Sequence, residues 1–243
     1  MKIFLFLSLL LFQLGTYSQQ SYRALYNIEF MIDTSYINKE HKKNKSSSLL
    51  KERVRNKIKN QFYFVLKLSR HIDFYLEFNQ TDSRFYLPQQ IETKEFKIFK
   101  RFSRFKGQYY SFKNSTLHEM NAFGQNFLIN LPATKWKLTQ TSKIIGKYKC
   151  YKAITQKLIG TKFYDVYAWF TPDLPFNFGP MGYQGLPGLI LKLETGNLSY
   201  NLKELIKIKS MEIKKPSKGQ NITLDDFNLM AKKVYKKRKK EFN

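Results

Sequence analysis

Cysteine, histidine and acidic residues are scarce in this sequence, and each scarcity closes a class of function. A single cysteine, Cys150, excludes a disulfide scaffold and a thiolate zinc cluster built within the chain. Three scattered histidines, His41, His71 and His118, argue against a His-built metal centre, so neither metal nor cofactor is expected. The metalloprotease H-E-x-x-H, the G-x-S-x-G elbow, the phosphate-binding P-loop and the dinucleotide-binding G-x-G-x-x-G are all missing. The long apolar run Ile3 to Leu14 falls short of the roughly 20 residues that a membrane-spanning helix needs. Only 18 acidic residues face 43 Lys and Arg, which leaves the chain of 243 residues at +25. That surface favours polyanions: nucleic acid, anionic lipid or acidic glycan. The joint richness in Lys, Asn, Ile, Phe and Tyr is also what an AT-biased coding sequence produces, so composition alone explains part of the charge.

The start of the chain narrows the partner. Met1-Lys2 is a short basic segment, Ile3 to Leu14 is apolar, and Thr16-Tyr17-Ser18 offers small residues at the −3 and −1 positions of a cleavage site. This order reads as a secretory signal peptide over 1–18, with the mature domain at 19–243. No cysteine follows the apolar run, so lipid attachment at a cysteine is not expected. Export to the periplasm or the outer membrane makes nucleic acid an unlikely target. Envelope proteins, apolar ligands and anionic membrane surfaces remain.

The mature region reads as one domain of mainly β structure (α+β). From Tyr22 to Asp33 apolar residues occupy every second position, the period of a half-buried strand. Similar alternation predicts strands at 62–68, 72–78, 83–87, 95–102, 108–113, 125–131, 147–156 and 163–171, with a hairpin of 189–194 and 198–208 across Gly196-Asn197. Few helices intervene, so a curved antiparallel sheet or open half-barrel is expected rather than βαβ units. One helix is predicted near 48–59, capped by Ser48, with the narrow apolar stripe Leu50, Val54 and Ile58 packed on the sheet. A second is predicted near 224–240, capped by Thr223, with Leu224, Phe227, Ala231 and Val234 on one face. Its last turns carry seven basic residues between Lys232 and Lys240, more than dipole capping requires.

Candidate chemistry is thin. His118-Glu119 is an adjacent acid/base pair, and neighbours on a strand point to opposite faces. Cys150 lies in a strand-like stretch and is expected to be buried and inert. Residues 172–188 stand apart: Pro172, Pro175, Pro180 and Pro187 alternate with Gly179, Gly182, Gly185 and Gly188. This is a rigid, turn-rich loop between two strands. We expect it to fold over the sheet edge with Gln184 exposed, while Leu186, Leu189 and Leu191 enter the core. Gly185 and Gly188 are expected to supply backbone angles that a Cβ disfavours, and Pro187 to stiffen the approach.

Gly185-Leu186-Pro187-Gly188-Leu189-Ile190 resembles the motif that names the GLPGLI family of exported Gram-negative bacterial proteins. Two upstream segments resemble the family as well. One is Ile145-Gly146-Lys147-Tyr148-Lys149-Cys150-Tyr151-Lys152-Ala153; the other is Ala168-Trp169-Phe170-Thr171-Pro172-Asp173-Leu174-Pro175, with Gly179-Pro180 following. Phe170 stands where the family usually has Tyr. The resemblance implies export and a curved sheet similar to that of periplasmic carriers; the family's activity is uncharacterised. It also marks Trp169, Pro172, Gly179, Pro180 and the 185–190 motif as structural or binding residues.

Three functions are expected. The first is a non-enzymatic envelope module that binds or carries an apolar ligand or an envelope partner. The second is a hydrolase whose site assembles only in the fold, around His118 and Asp173. The third is electrostatic binding to anionic lipid or glycan through the basic segments 39–59 and 232–240.

Overall fold

The structure, a computed structural model, describes residues 20–31, 49–113, 115–159 and 162–241. The leader at 1–18, Ser48 and the first part of the basic run at 39–59 lie outside them, as do the side chains of Leu50, Val54 and Ile58. Among the described residues twelve strands form one sheet: β1 (Ser21–Phe30), β2 (Asp73–Phe78), β3 (Ser83–Tyr86), β4 (Gln108–Phe112), β5 (Ser115–Ala122), β6 (Gln125–Leu131), β7 (Lys137–Ile145), β8 (Tyr148–Ile159), β9 (Lys162–Thr171), β10 (Leu189–Thr195), β11 (Leu198–Ile208) and β12 (Gln220–Thr223). Their order is β12-β6-β5-β4-β3-β2-β1-β11-β10-β9-β8-β7, antiparallel throughout except for the parallel β12–β6 pair.

The connectivity requires this sheet to curl. β6 is second in the order and β7 is twelfth, yet only residues 132–136 join them. Six Cα steps reach at most about 20 Å. Ten strand spacings across a flat sheet would need about 48 Å. The two halves therefore approach each other without closing, since among the described residues β7 pairs only with β8. The expected open half-barrel is what forms.

The curl gives the sheet an inner and an outer face. Tyr22, Ala24, Tyr26, Ile28 and Phe30 of β1 point inward, as do Phe74, Leu76 and Phe78 of β2. Phe74 packs on Phe85, Phe105 and Tyr200 at ring separations of 5.8, 4.8 and 5.6 Å. Burying each such ring contributes about 1.5–3 kcal/mol, and each ring pair about 0.5–1.5 kcal/mol more.

Two α-helices cover the inner face at the Phe30 end of β1. They are α1 (Leu49–Ser69) and α2 (Lys94–Ser103). Both correct the alternation reading. The segment 62–68 is the second half of α1, not a strand. Phe62, Val65 and Ser69 are its buried positions, at the i, i+3, i+7 spacing of a helix face, while Phe64 points to solvent. Phe62 meets Phe30 edge-on at 6.1 Å. The segment 95–102 is also helical. Thr93 caps it by accepting from the Phe96 amide at 3.1 Å, and Phe96, Phe99 and Ser103 form its buried face.

The third α-helix among the described residues, α3 (Leu224–Glu241), forms where expected. Thr223 accepts from the Asp226 amide at 3.1 Å, and Phe227 sets its ring 5.3 Å from Phe127 of β6. Lys232, Lys233, Lys236 and Lys237 are exposed on it.

Candidate binding site

The loop between β9 and β10 is where sequence reading placed the family motif, and it is a structural latch. It does not fold over the sheet edge. It crosses the inner face and inserts Phe176, Phe178 and Leu186 into the core. Phe176 packs on Tyr22 at 4.9 Å and Phe78 at 4.8 Å, near the middle of the sheet. The turn at Pro180–Gly182 lies against β3, β4 and β5, so the loop ties one half of the curl to the other.

Backbone hydrogen bonds brace it. Gly185 N–H donates to Asn177 O at 3.0 Å, Gly188 N–H to Leu186 O at 2.8 Å, and Ile190 N–H to Phe178 O at 3.0 Å. Leu189, Ile190 and Leu191 are all buried, because a β-bulge between Ile190 and Lys192 lets the strand feed both faces. The Tyr26 hydroxyl donates to Ile190 O at 2.6 Å inside the core.

Close approach fixes several of the loop's glycines. A Cβ on Gly188 would stand 2.0 Å from Thr171 O, and one on Gly179 would stand 2.6 Å from Ile190 Cδ1. The Gly188 requirement is therefore contact with the Thr171 backbone more than backbone angle. Gly185, with φ +93 and open space around it, is the residue that needs the angle. Pro172 and Pro187 are exposed, and Pro180 is buried in the turn. Gln184 is not the free loop residue expected. Its Nε2 donates to Thr116 Oγ1 at 2.8 Å and Ser115 O at 3.2 Å, and its backbone carbonyl accepts the Trp136 indole N–H at 2.9 Å.

The pair His118-Glu119 diverges as strand neighbours do. His118 points inward, stacks on Tyr109 at 4.1 Å and sets Nε2 2.7 Å from Lys106 O. Burial, aided by the Lys157 ammonium, pushes its pKa down to about 4 against the pull of the Lys106 carbonyl. Glu119 points outward and accepts from the Tyr110 hydroxyl at 3.0 Å. No hydrogen bond or ion pair links His118 to Asp173 among the described residues, and no cluster of His, Cys, Asp and Glu there has the make-up of a metal site. Cys150 is buried as expected, and desolvation raises its thiol pKa.

The outer face carries the convergent polar chemistry. The register aligns Arg23 of β1 with Glu77 of β2, Glu77 with Arg84 of β3, and Arg84 with Tyr110 of β4. Glu77 is 3% exposed and accepts from Arg23 Nη2 at 2.6 Å and Nε at 2.9 Å. That hydrogen bond raises the Arg23 pKa. Arg84 donates Nε to Gln108 Oε1 at 2.7 Å and lies 4.2 Å over the Tyr86 ring. Burial and neighbouring carboxylates push the phenols of Tyr86 and Tyr110 up to about 12. Met211, Glu212, Ile213 and Lys214 form the opposite wall, held by the Met211 amide donating to Ser21 Oγ at 2.9 Å. Glu77, Arg84 and Tyr110 with Met211–Lys214 bound a cleft of about 320 Å³. Sequence reading missed it because its members come from three strands and a connector, and only the pairing register brings them together.

A second outer-face group surrounds Trp169. Lys152 of β8 and Lys192 of β10 are its cross-strand partners, and Lys143 of β7 reaches over the ring.

Comparison with known proteins agrees with this picture at the level of fold. No curated protein matches the chain. A family model described as "Protein of unknown function (Porph_ging)" matches residues 159–192, which span β9, the latch and the GLPGLI motif. Two solved structures are similar, "Structure of PNGF-II in C2 space group" and "Structure of PNGF-II in P21 space group". The first is 15% identical with a TM-score of 0.50, covering 87% of this chain and 32% of that one. The second is 14% identical with a TM-score of 0.49, covering 87% and 33%. The chain thus spans about a third of the length of the proteins it resembles. The likeness to the first shows a shared mainly β fold; the short family match, compatible with the GLPGLI resemblance, is to a family of unknown function.

Proposed function

We propose that this chain is an exported, non-enzymatic binding module of the cell envelope, which meets an envelope partner through the outer face of its sheet. The observation that carries the reading is the Arg84–Tyr110 cleft above the buried Arg23–Glu77 pair. Its base is held by charge-assisted hydrogen bonds, so its guanidinium and phenol groups are preorganised for a polar partner. The partner chemistry that fits is a protein segment offering a carboxylate to Arg84 beside an apolar group for Tyr110 and Ile213. An apolar cargo inside the curl is less well served. The volume it would need holds Phe176, Phe178, Leu186, Phe99 and Phe105, and entry would require the latch to swing out.

Affinity capture from the native envelope tests this, with wild type and Arg84→Glu at matched melting temperatures. A protein retained by wild type and lost by the variant supports the reading. Equal retention, or a co-purified lipid in the core, overturns it in favour of a carrier.

The exposed lysines of α3 support a second reading, electrostatic attachment to an anionic membrane surface. Binding to phosphatidylglycerol vesicles would then fall steeply between low and physiological salt, where screening shortens to ~8 Å. Affinity that is flat across that range excludes it.

A further inference from the structure

The outer face of β7–β10 gathers more cations than anions around Trp169. Trp169 is 8% exposed, and across the sheet it is flanked by Lys152 on one side and Lys192 on the other. Lys143 Nζ lies 3.7 Å from the centre of its ring and Lys152 Nζ lies 5.9 Å away, also 4.3 Å from the Tyr167 ring. One carboxylate answers these three ammonium groups: Glu194, 2.9 Å from Lys192 Nζ. Lys143 and Lys152 have no ion pair among the described residues.

The rest of the same face shows what a balanced cation looks like. Arg23 sits on Glu77 and Lys203 on Asp73 at 3.0 Å. Around Trp169, by contrast, burial lowers the Lys143 pKa and the nearby Lys192 ammonium lowers it further. Stacking on an aromatic ring compensates a cation only in part and does not remove the repulsion among three of them. The indole N–H of Trp169 is itself buried with no acceptor. A buried donor left unpaired is destabilising. Every unmet group here is a donor or a positive charge.

We infer that the Lys143–Lys152–Lys192 group around Trp169 is a binding site for a tetrahedral oxyanion, a phosphate or sulfate group. Such an anion accepts several charge-assisted hydrogen bonds at once and relieves the repulsion among the lysines. Lysine suits it as a flexible point charge that can swing from the ring to the ligand. The site lies on β7–β10, away from the cleft on β1–β4, so either can fail without the other.

Trp136 and Trp169 are the two tryptophans of the chain, so Trp136→Phe leaves Trp169 as the sole reporter. Its emission is followed as sodium phosphate, then sodium sulfate, replaces sodium chloride at constant ionic strength. A saturable change is expected, with Lys143→Gln and Lys152→Gln each weakening binding at least fivefold and Lys97→Gln on α2 leaving it unchanged. Calorimetry of phosphate into the wild-type chain gives the same affinity without a tryptophan substitution. Phosphatidylglycerol vesicles form the second arm: a response to vesicles assigns the group to a lipid headgroup, and a response to inorganic phosphate alone assigns it to a soluble phosphate. Phosphate acting no differently from chloride, or Lys143→Gln and Lys152→Gln binding like their parent, overturns the site.

Discussion

The inner and outer faces of this sheet are made by the same strands and obey different rules. On the inner face Phe74, Phe85, Phe105, Tyr200 and Tyr26 pack ring against ring, and the 172–188 latch adds Phe176, Phe178 and Leu186. On the outer face the same strands present Arg23, Glu77, Arg84, Tyr110, Lys152 and Trp169, joined by ion pairs and by cations over rings. The inner face stabilises the curl; the outer face is left with charge and hydrogen-bonding capacity to offer. Leu186, Leu189 and Ile190 of the 185–190 motif are buried on the inner side, away from the outer-face cleft.

The comparison breaks most readily at Gly188. A valine there would push its Cβ to within 2.0 Å of Thr171 O, so the β9–β10 junction must separate. We expect Gly188→Val to cost about 3–5 kcal/mol, the range of severe packing faults, and to lower the melting temperature by about 10 °C. Thermal unfolding followed by circular dichroism measures it. A variant that melts like wild type would remove the latch from the stability account.

Glu77 sharpens the contrast, because it is the outer-face residue that is also buried. Glu77→Ala leaves Arg23 beside an unfilled space. With Arg23 partly exposed, the expected loss is about 1–3 kcal/mol, below the cost of orphaning a fully buried charge. Chemical denaturation of the single variants and of Arg23→Met/Glu77→Ala together would give the coupling between them.

His118 adds an inner-face pH dependence. Its pKa in the fold, about 4, lies below the ordinary 6.5, so the unfolded chain binds the proton more tightly between those values. Stability from this residue is complete above pH 6.5 and is lost as the pH falls toward 4. Melting temperature plotted against pH should drop over that window, and His118→Phe should flatten the drop. An unchanged slope in the variant would mean that His118 titrates normally.

Gln184→Ala is expected to have the smallest inner-side effect, about 1 kcal/mol for the lost bonds to Thr116 and Ser115. A change within measurement error would show those bonds to be exchanged for water at no cost.

How much of this was legible in the sequence varies by element. β1, β2, β8 and β9 were readable because one face is buried and the other is not, which writes a period of two. β7 was missed because it is an edge strand exposed on both sides, so Lys137–Ile145 carries no alternation. α2 was mistaken for a strand because Lys-Glu-Phe-Lys-Ile-Phe-Lys-Arg-Phe alternates roughly by two as well as by three and four. The cap at Thr93 was the signal that separates the periods. The latch was recognised as a loop, but its destination across the curl depends on how far the sheet bends. That could have been read from the strand order, which sequence did not provide. Neither outer-face site was legible, since Arg23 and Arg84, or Lys143 and Lys192, become neighbours only through strand register.

The central claim, that the inner face folds and the outer face binds, is tested most directly by one matched pair of substitutions in a single envelope-capture experiment. Phe178→Leu trims the inner face, and Arg84→Glu reverses a charge in the outer cleft. Phe178→Leu should lower the melting temperature by about 3–5 °C, for a loss of about 1–1.5 kcal/mol, and still retain the captured partner below its transition. Arg84→Glu should melt within about 2 °C of wild type and lose that partner. The opposite pattern, a partner lost with Phe178→Leu and kept with Arg84→Glu, would place the binding site inside the curl and contradict the account.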